Sequence, residues 1–237
     1  MLSGAANISI DAPEYTWVDK DLGATLRIHS VVTNSVVKVT VEIDKEVEII
    51  EVYRRAFDIT QASVDLVGFS TGRGLRLILD AFESQDGNLS QFDFVDPELA
   101  RRCTAFTLAT LGDVLPLIAL EPRLFGFLRD LVSGTAHLNT VDVNCARALD
   151  GMKNFIAGEG VSKSQAWKAI RDTLNLSEPY LKMITDISTD NRHGWVRRIN
   201  GEQATESARR SWVVADRFLH YLKSGRTPLN LELFPIL

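Results

Sequence analysis

Cysteine is nearly absent from this chain of 237 residues, with only Cys103 and Cys145 present. Each lies in an apolar segment of helical spacing, so both are expected as small buried hydrophobes rather than as a disulfide or a reactive thiol. A hydrophobic content of 45% supplies a core without disulfides or a structural metal. No run of 18 or more apolar residues occurs, and the first seven residues lack the basic flank and apolar stretch of a signal peptide. The expectation is a cytoplasmic protein that does not engage a membrane.

Motifs that carry known chemistry are missing as well. The four histidines, at positions 29, 137, 193 and 220, form no H-x-x-x-H or H-E-x-x-H pattern, and the cysteines form no C-x-x-C, so no zinc site is expected. There is no P-loop, and Gly72-Arg73-Gly74 lacks the third glycine and the preceding strand of a dinucleotide fingerprint, so no cofactor is expected. Gly68-Phe69-Ser70-Thr71-Gly72 does match G-x-S-x-G. A nucleophile elbow needs a strand before the serine and a helix after it, and here the periodicity gives a helix before and a strand after. The glycines read instead as a helix stop and a turn.

What is present begins with strands. Val37, Val39, Val41 and Ile43 alternate with Lys38, Thr40 and Glu42, the period of a strand with one inward face. Shorter alternations occur at 7–10, 15–18 and 26–29. From Ile49 the spacing changes to three and four residues through Val52, Tyr53, Ala56, Ile59 and Val67, an amphipathic helix closed by Gly68, Gly72 and Gly74. Leu75, Leu77 and Leu79 then suggest a closing strand in the same sheet. Asp96-Pro97-Glu98 is a helix start, and almost everything after it reads helical, with Pro116 and Pro122 dividing residues 98–135. Cys145, Leu149, Met152 and Ile156 form one stripe; Ser162 to Gln165 reads as a capping box; Ser177 caps the next helix. The last long helix presents Ala208, Trp212, Ala215, Leu219 and Leu222, which fits a core or a dimer seam. The apolar tail from Leu229 to Leu237 is expected to pack on the protein or on a second copy.

The fold class is therefore α+β: a strand-rich antiparallel unit with one helix over residues 1–95, followed by a helical bundle over 96–237. Charge divides unevenly along it. The net charge is -5, yet residues 191–226 hold eight Lys/Arg against three acids, a surplus of five that leaves -10 for the remainder. Such a stretch either binds a polyanion or pairs with the acids of its own fold or of a second subunit.

Polar and ionisable residues are dense from Thr185 to Gly194, between two predicted helices. His193 beside Arg192, with Asn191 and Asp186 in support, offers an acid/base and a phosphate anchor of the kind that metal-independent RNA cleavage requires. The same residues equally suit a helix C-terminus, with Gly194 as the stop and the cations at the negative dipole end.

Residues from about 143 to 221 resemble the helical domains of the HEPN (higher eukaryotes and prokaryotes nucleotide-binding) superfamily. The resemblance rests on Cys145-Ala146-Arg147-Ala148-Leu149-Asp150, on the helix from Ala166 to Leu174, on Asn191-Arg192-His193-Gly194 and on Arg217-Phe218-Leu219-His220-Tyr221. It implies a dimer of C-terminal helices. For family nucleases it implies an arginine four to six intervening residues before the histidine, where this chain has Ser188, Ile187 and Asp186. The leading expectation is a non-catalytic HEPN-like binding protein and homodimer, contacting RNA or an acidic protein partner through Arg197, Arg198, Arg209 and Arg210. The alternatives are a metal-independent ribonuclease using His193, and a purely structural interaction scaffold.

Overall fold

The computed structural model describes residues 2–3, 10–11, 14–34, 36–78, 80–91, 97–119, 121–136, 138–193 and 199–237. The chain divides into two compact units, Met1–Asp93 and Phe94–Leu237. The architecture is α+β, antiparallel strands with one long helix first and helices thereafter.

In the first unit the sheet is built on β4 (Ala24–Thr33), whose residues are alternately buried, with Ala24, Leu26, Ile28, Ser30 and Val32 inward. β5 (Val36–Ile43) pairs along one edge, from Thr33↔Val36 to Leu26↔Ile43. The other edge takes β3 (Tyr15–Asp19) and then β2 (Ile10–Asp11). The turn between β4 and β5 places Asn34 at φ 50, the left-handed conformation that a two-residue hairpin loop requires and that asparagine tolerates. Alternation in β5 is as its sequence implies: Val37, Val39, Val41 and Ile43 are half-buried on the core face, and Lys38, Thr40 and Glu42 are exposed.

α1 (Ile49–Thr71) covers the core face. Thr60 meets Ser30 of β4 through a buried hydroxyl pair at 3.1 Å, and Val64 packs with Val32 and Leu77. Arg55 Nε donates to Asp19 Oδ2 of β3 at 2.6 Å with both side chains buried, while Glu51 pairs with the same guanidinium. α1 runs through Gly68 and stops one turn later, with Gly72 at φ 65 as its left-handed cap. Gly68 is required by packing: a Cβ there would lie 2.7 Å from the Arg73 carbonyl, which accepts no such approach.

The strand expected through Leu75, Leu77 and Leu79 is corrected. β6 is only Arg76–Leu77, and it pairs with β1 (Leu2–Ser3) rather than with the main sheet. The Leu77 N–H donates to Gln61 Oε1 at 3.1 Å, which ties this segment to α1. Leu79 lies outside the described residues. A short hairpin of β7 (Ala81–Glu83) and β8 (Leu89–Gln91) follows.

The second unit contains α2 (Pro97–Cys103), α3 (Leu111–Ala119), α4 (Phe125–Ala136), α5 (Val141–Ala157), α6 (Lys163–Leu174), α7 (Glu178–Arg192) and α8 (Gly201–Lys223). Pro116 sits inside α3 instead of dividing helices; having no N–H, it offers the Gly112 carbonyl no i+4 donor. Pro122 opens a 3₁₀ turn, as a residue without an N–H can. α5 is the central element: Cys145, Ala148, Leu149 and Met152 are fully buried against Ile170, Leu174, Ile184, Val214 and Phe218. The Ser162/Gln165 capping box starts α6 and the Ser177 hydroxyl caps α7.

α8 buries a broader face than the 208–222 stripe suggests. Ala208, Ala215 and Leu222 are in the core, but so are Val214, Arg217, Phe218 and Tyr221, whereas Trp212 and Leu219 are half-buried. Three of the five stripe residues are thus buried within the unit, and Trp212 and Leu219 stay partly exposed.

The tail is locked onto the bundle. Leu229 donates to the Thr173 carbonyl at 2.9 Å, Leu237 N–H to Asn175 O at 3.2 Å and Ser177 N–H to Leu237 O at 2.8 Å.

Candidate functional site

α7 delivers the residues singled out in the sequence. Its capped start and apolar positions Leu181 and Ile184 fix one face inward, and its last turn carries Asn191 and Arg192 to α5. Asn191 Nδ2 donates to Asp142 Oδ2 at 2.7 Å, and Asp142 is buried in the first turn of α5. Arg192 Nη2 donates to Asp150 Oδ2 at 3.0 Å. Asp150 also pairs with Lys153, whose buried ammonium lies 4.5 Å from the centre of the Trp167 ring. Two α5 carboxylates thus clamp the end of α7, and the Arg192–Asp150–Lys153 chain carries the clamp on toward α6.

His193 is the C-terminal residue of this arrangement, with φ -98 and ψ 11 and its N–H donating to the Thr189 and Asp190 carbonyls at 3.2 and 3.0 Å. Its side chain is exposed, and among the described residues it meets no carboxylate or arginine. Gly194 lies outside the described residues. Asp186 is exposed on α7 and its carboxylate accepts from the Thr185 hydroxyl at 3.5 Å. Among the described residues the four candidate catalytic residues lie in the second half of one helix and at its end without converging: Asn191 and Arg192 point to α5, Asp186 to solvent, and the His193 side chain bonds none of the other three. Of the positions where family nucleases carry arginine, Ser188 is fully buried with its hydroxyl donating to Thr185 O at 2.8 Å. An arginine there would enter the bundle, not a cleft.

Within the basic segment, Arg192, Lys223 and Arg226 face acids of other elements, and Arg210 faces Glu206 of its own helix. Arg210 Nε donates to Glu206 at 2.7 Å and its guanidinium stacks 4.8 Å from the Tyr180 ring. Lys223 pairs with Asp113 at 2.6 Å, and Arg226 lies over Phe155 at 4.9 Å with Glu121 at 3.6 Å. Arg123 covers the same Phe155 ring at 5.1 Å and grips Glu121 at 2.8 Å, which holds the Glu121 carboxyl down at about 2. Arg217 is buried; its Nη1 donates to Leu174 O and Asn175 O and its Nη2 to Pro235 O, all at 2.8 Å. Arg209 is exposed. Arg197 and Arg198 lie outside the described residues.

Sequence reasoning missed the partners rather than the site. Asp142, Lys153 and Asn175 were not singled out, and Asp150 figured only in the Cys145-to-Asp150 stretch of the resemblance. Asn175 adopts φ 54 at the end of α6 and its amide donates to Leu229 O and Phe234 O, each at 2.9 Å. An asparagine just past the last apolar position of a helix was the available signal. The Ser70 hydroxyl donates to Val67 O at 3.0 Å within α1, in helix rather than in an elbow. Among the described residues no group of three or more His, Cys, Asp or Glu could hold a metal ion, and no helix is long and apolar enough to cross a membrane.

This two-part organisation has a counterpart in family comparison. Residues 4–92 match the N-terminal domain of a domain of unknown function (DUF8168), and residues 114–223 match its C-terminal domain. The two DUF8168 matches follow one another in that order, the first within the strand-rich unit and the second from α3 to the end of α8. No curated protein and no solved structure matches the chain.

Proposed function

We propose that this is a non-catalytic binding protein whose partner is another protein, with the C-terminal bundle as its rigid framework. One observation carries the reading: Arg192 and Asn191, the groups that would anchor a phosphate beside His193, are instead spent on Asp150 and Asp142 of α5. Among the described residues no free cation stands beside the exposed His193, which leaves it without the second group that phosphodiester cleavage requires. This takes the non-catalytic branch of the HEPN-like resemblance.

A protein partner is favoured over RNA by the same geometry. Four described members of the basic segment, Arg192, Arg210, Lys223 and Arg226, already face a carboxylate of the protein itself, and Arg217 is buried. Clustered free cations, which phosphate attraction needs, are thereby thinned out. Meanwhile Leu231, Leu233 and Ile236 project from a tail held in place by hydrogen bonds, an apolar surface more suited to protein contact.

Labelled single-stranded and hairpin RNAs incubated with the full chain test this. The expected result is no cleavage and only weak binding that fades by physiological salt. Tight binding with a steep salt slope would favour the RNA partner, and cleavage would reinstate the ribonuclease.

A further inference from the structure

β5 is the outermost strand of its sheet, and among the described residues nothing pairs with its outer edge. It is eight residues long and regular, with no proline, and it pairs with β4 without a bulge. Proteins ordinarily blunt such an edge, because a row of unpaired N–H and C=O groups templates further strand addition.

The edge groups can be assigned. Asp44 N–H donates to Thr25 O across the β4 ladder at 3.3 Å. Antiparallel pairing alternates, so Glu42, Thr40 and Lys38 turn their backbone groups toward β4, and Val37, Val39, Val41 and Ile43 turn theirs outward. The side chains of these four are also the ones left half-buried where their β4 neighbours are fully buried. Backbone and side chain of the same residues therefore await a neighbour.

We propose that the neighbour is β5 of a second copy of this chain, paired antiparallel about a two-fold axis with Thr40 opposite Thr40. The argument for that occupant is the charge sequence of the strand. In this register Lys38 lies opposite Glu42 of the other copy and Glu42 opposite Lys38, so two ion pairs form on the solvent face at the closer, non-hydrogen-bonded positions. On the core face Val39 meets Val41 and Val37 meets Ile43, and these are the positions whose backbone groups point outward. Arg27 of β4 already stands 3.6 Å from Glu42, so the row across the joint alternates in sign. Shifting the register by two residues either loses both pairs or sets Lys38 against Asp44, whose carboxylate is taken by the Thr25 N–H at 2.9 Å, and sets Val37 against Lys45. A shift by one would face apolar side chains with polar ones and misalign the donors. The proposal stands independently of the functional reading above.

Light scattering and cross-linking on the full chain test it. The wild type is expected at twice the chain mass at concentrations of about 100 μM, a range that captures weak association. Lys38→Glu is expected to weaken the dimer about tenfold or more by facing like charges, and Lys38→Glu with Glu42→Lys to restore it. Thr40→Cys is expected to yield a disulfide-linked dimer on mild oxidation, since both native cysteines are buried. These three positions are exposed, so thermal melts at dilutions where the wild type is monomeric should be unchanged. A monomer across this range overturns the proposal. So does a dimer that ignores both charge changes and gives no Thr40→Cys cross-link.

Discussion

Arg217 and Asn175 form a reciprocal lock: the guanidinium donates to the Asn175 carbonyl at 2.8 Å, while the Asn175 amide donates to two carbonyls of the tail that Arg217 itself also grips at Pro235. Burial lowers the Arg217 pKa from its usual value, and the charge is held by backbone carbonyls with no carboxylate bonded to it.

Arg217→Met is expected to destabilise the second unit by about 3 kcal/mol, because buried carbonyls lose a charged donor. Thermal unfolding should show this as a lower midpoint, accompanied by protease sensitivity confined to the tail. An unchanged melt would mean the tail contributes nothing to the bundle.

Asn175 separates two effects. Asn175→Gly removes the amide but keeps the left-handed backbone accessible, whereas Asn175→Ala removes both. The alanine variant should therefore be less stable than the glycine variant by about 1 kcal/mol. The reverse order in chemical denaturation would rule out backbone conformation as a reason for this residue.

In the first unit Asp19→Ala should cost about 3–5 kcal/mol, since it leaves the buried Arg55 with Glu51 alone and releases the Asp21 and Leu22 N–H groups that Asp19 also accepts. Hydrogen exchange should report the loss in β3, β4 and α1.

Stability should fall at alkaline pH. Burial pushes the Cys145 thiol up to about 11, with the Ser211 and Ser207 hydroxyls pulling the other way, and burial raises Tyr53 and Tyr180 to about 12. Each group ionises more readily when unfolded. Their contribution is therefore complete below the unfolded values, near 9 for the thiol and 10 for the phenols, and is lost as pH rises through the folded ones. Cys145→Ala should flatten the first part of that decline in pH-dependent denaturation, and a thiol reagent should leave the native protein unmodified at neutral pH. Fast labelling of Cys145 would contradict its burial.

Local regularities were legible in the sequence and long-range partnerships were not. The β5 alternation, the Ser162/Gln165 box and the Ser177 cap each follow from residues within one turn or one strand. The clamp at the end of α7 joins residues 42 and 49 positions apart, and nothing in the spacing of Asp142 or Asp150 announces Asn191 or Arg192. The charge surplus along 191–226 likewise gives no sign that Asp113, Glu121 and Asp150 face three of its cations from distant segments. α8 buries more than its 4-3-4-3 stripe because it packs against helices on several sides, including a buried arginine that no hydrophobic pattern marks.

Whether Arg192 and Asn191 serve the α5–α7 joint or a reaction is decided by an RNA-cleavage assay paired with thermal melts of wild type, Arg192→Ala, Asn191→Ala and His193→Ala. A structural role gives no cleavage by any of the four, a melt lowered by about 1–3 kcal/mol equivalent for Arg192→Ala and Asn191→Ala, and an unchanged melt for His193→Ala. Cleavage by the wild type that disappears in Arg192→Ala and His193→Ala at unchanged thermal stability would contradict it.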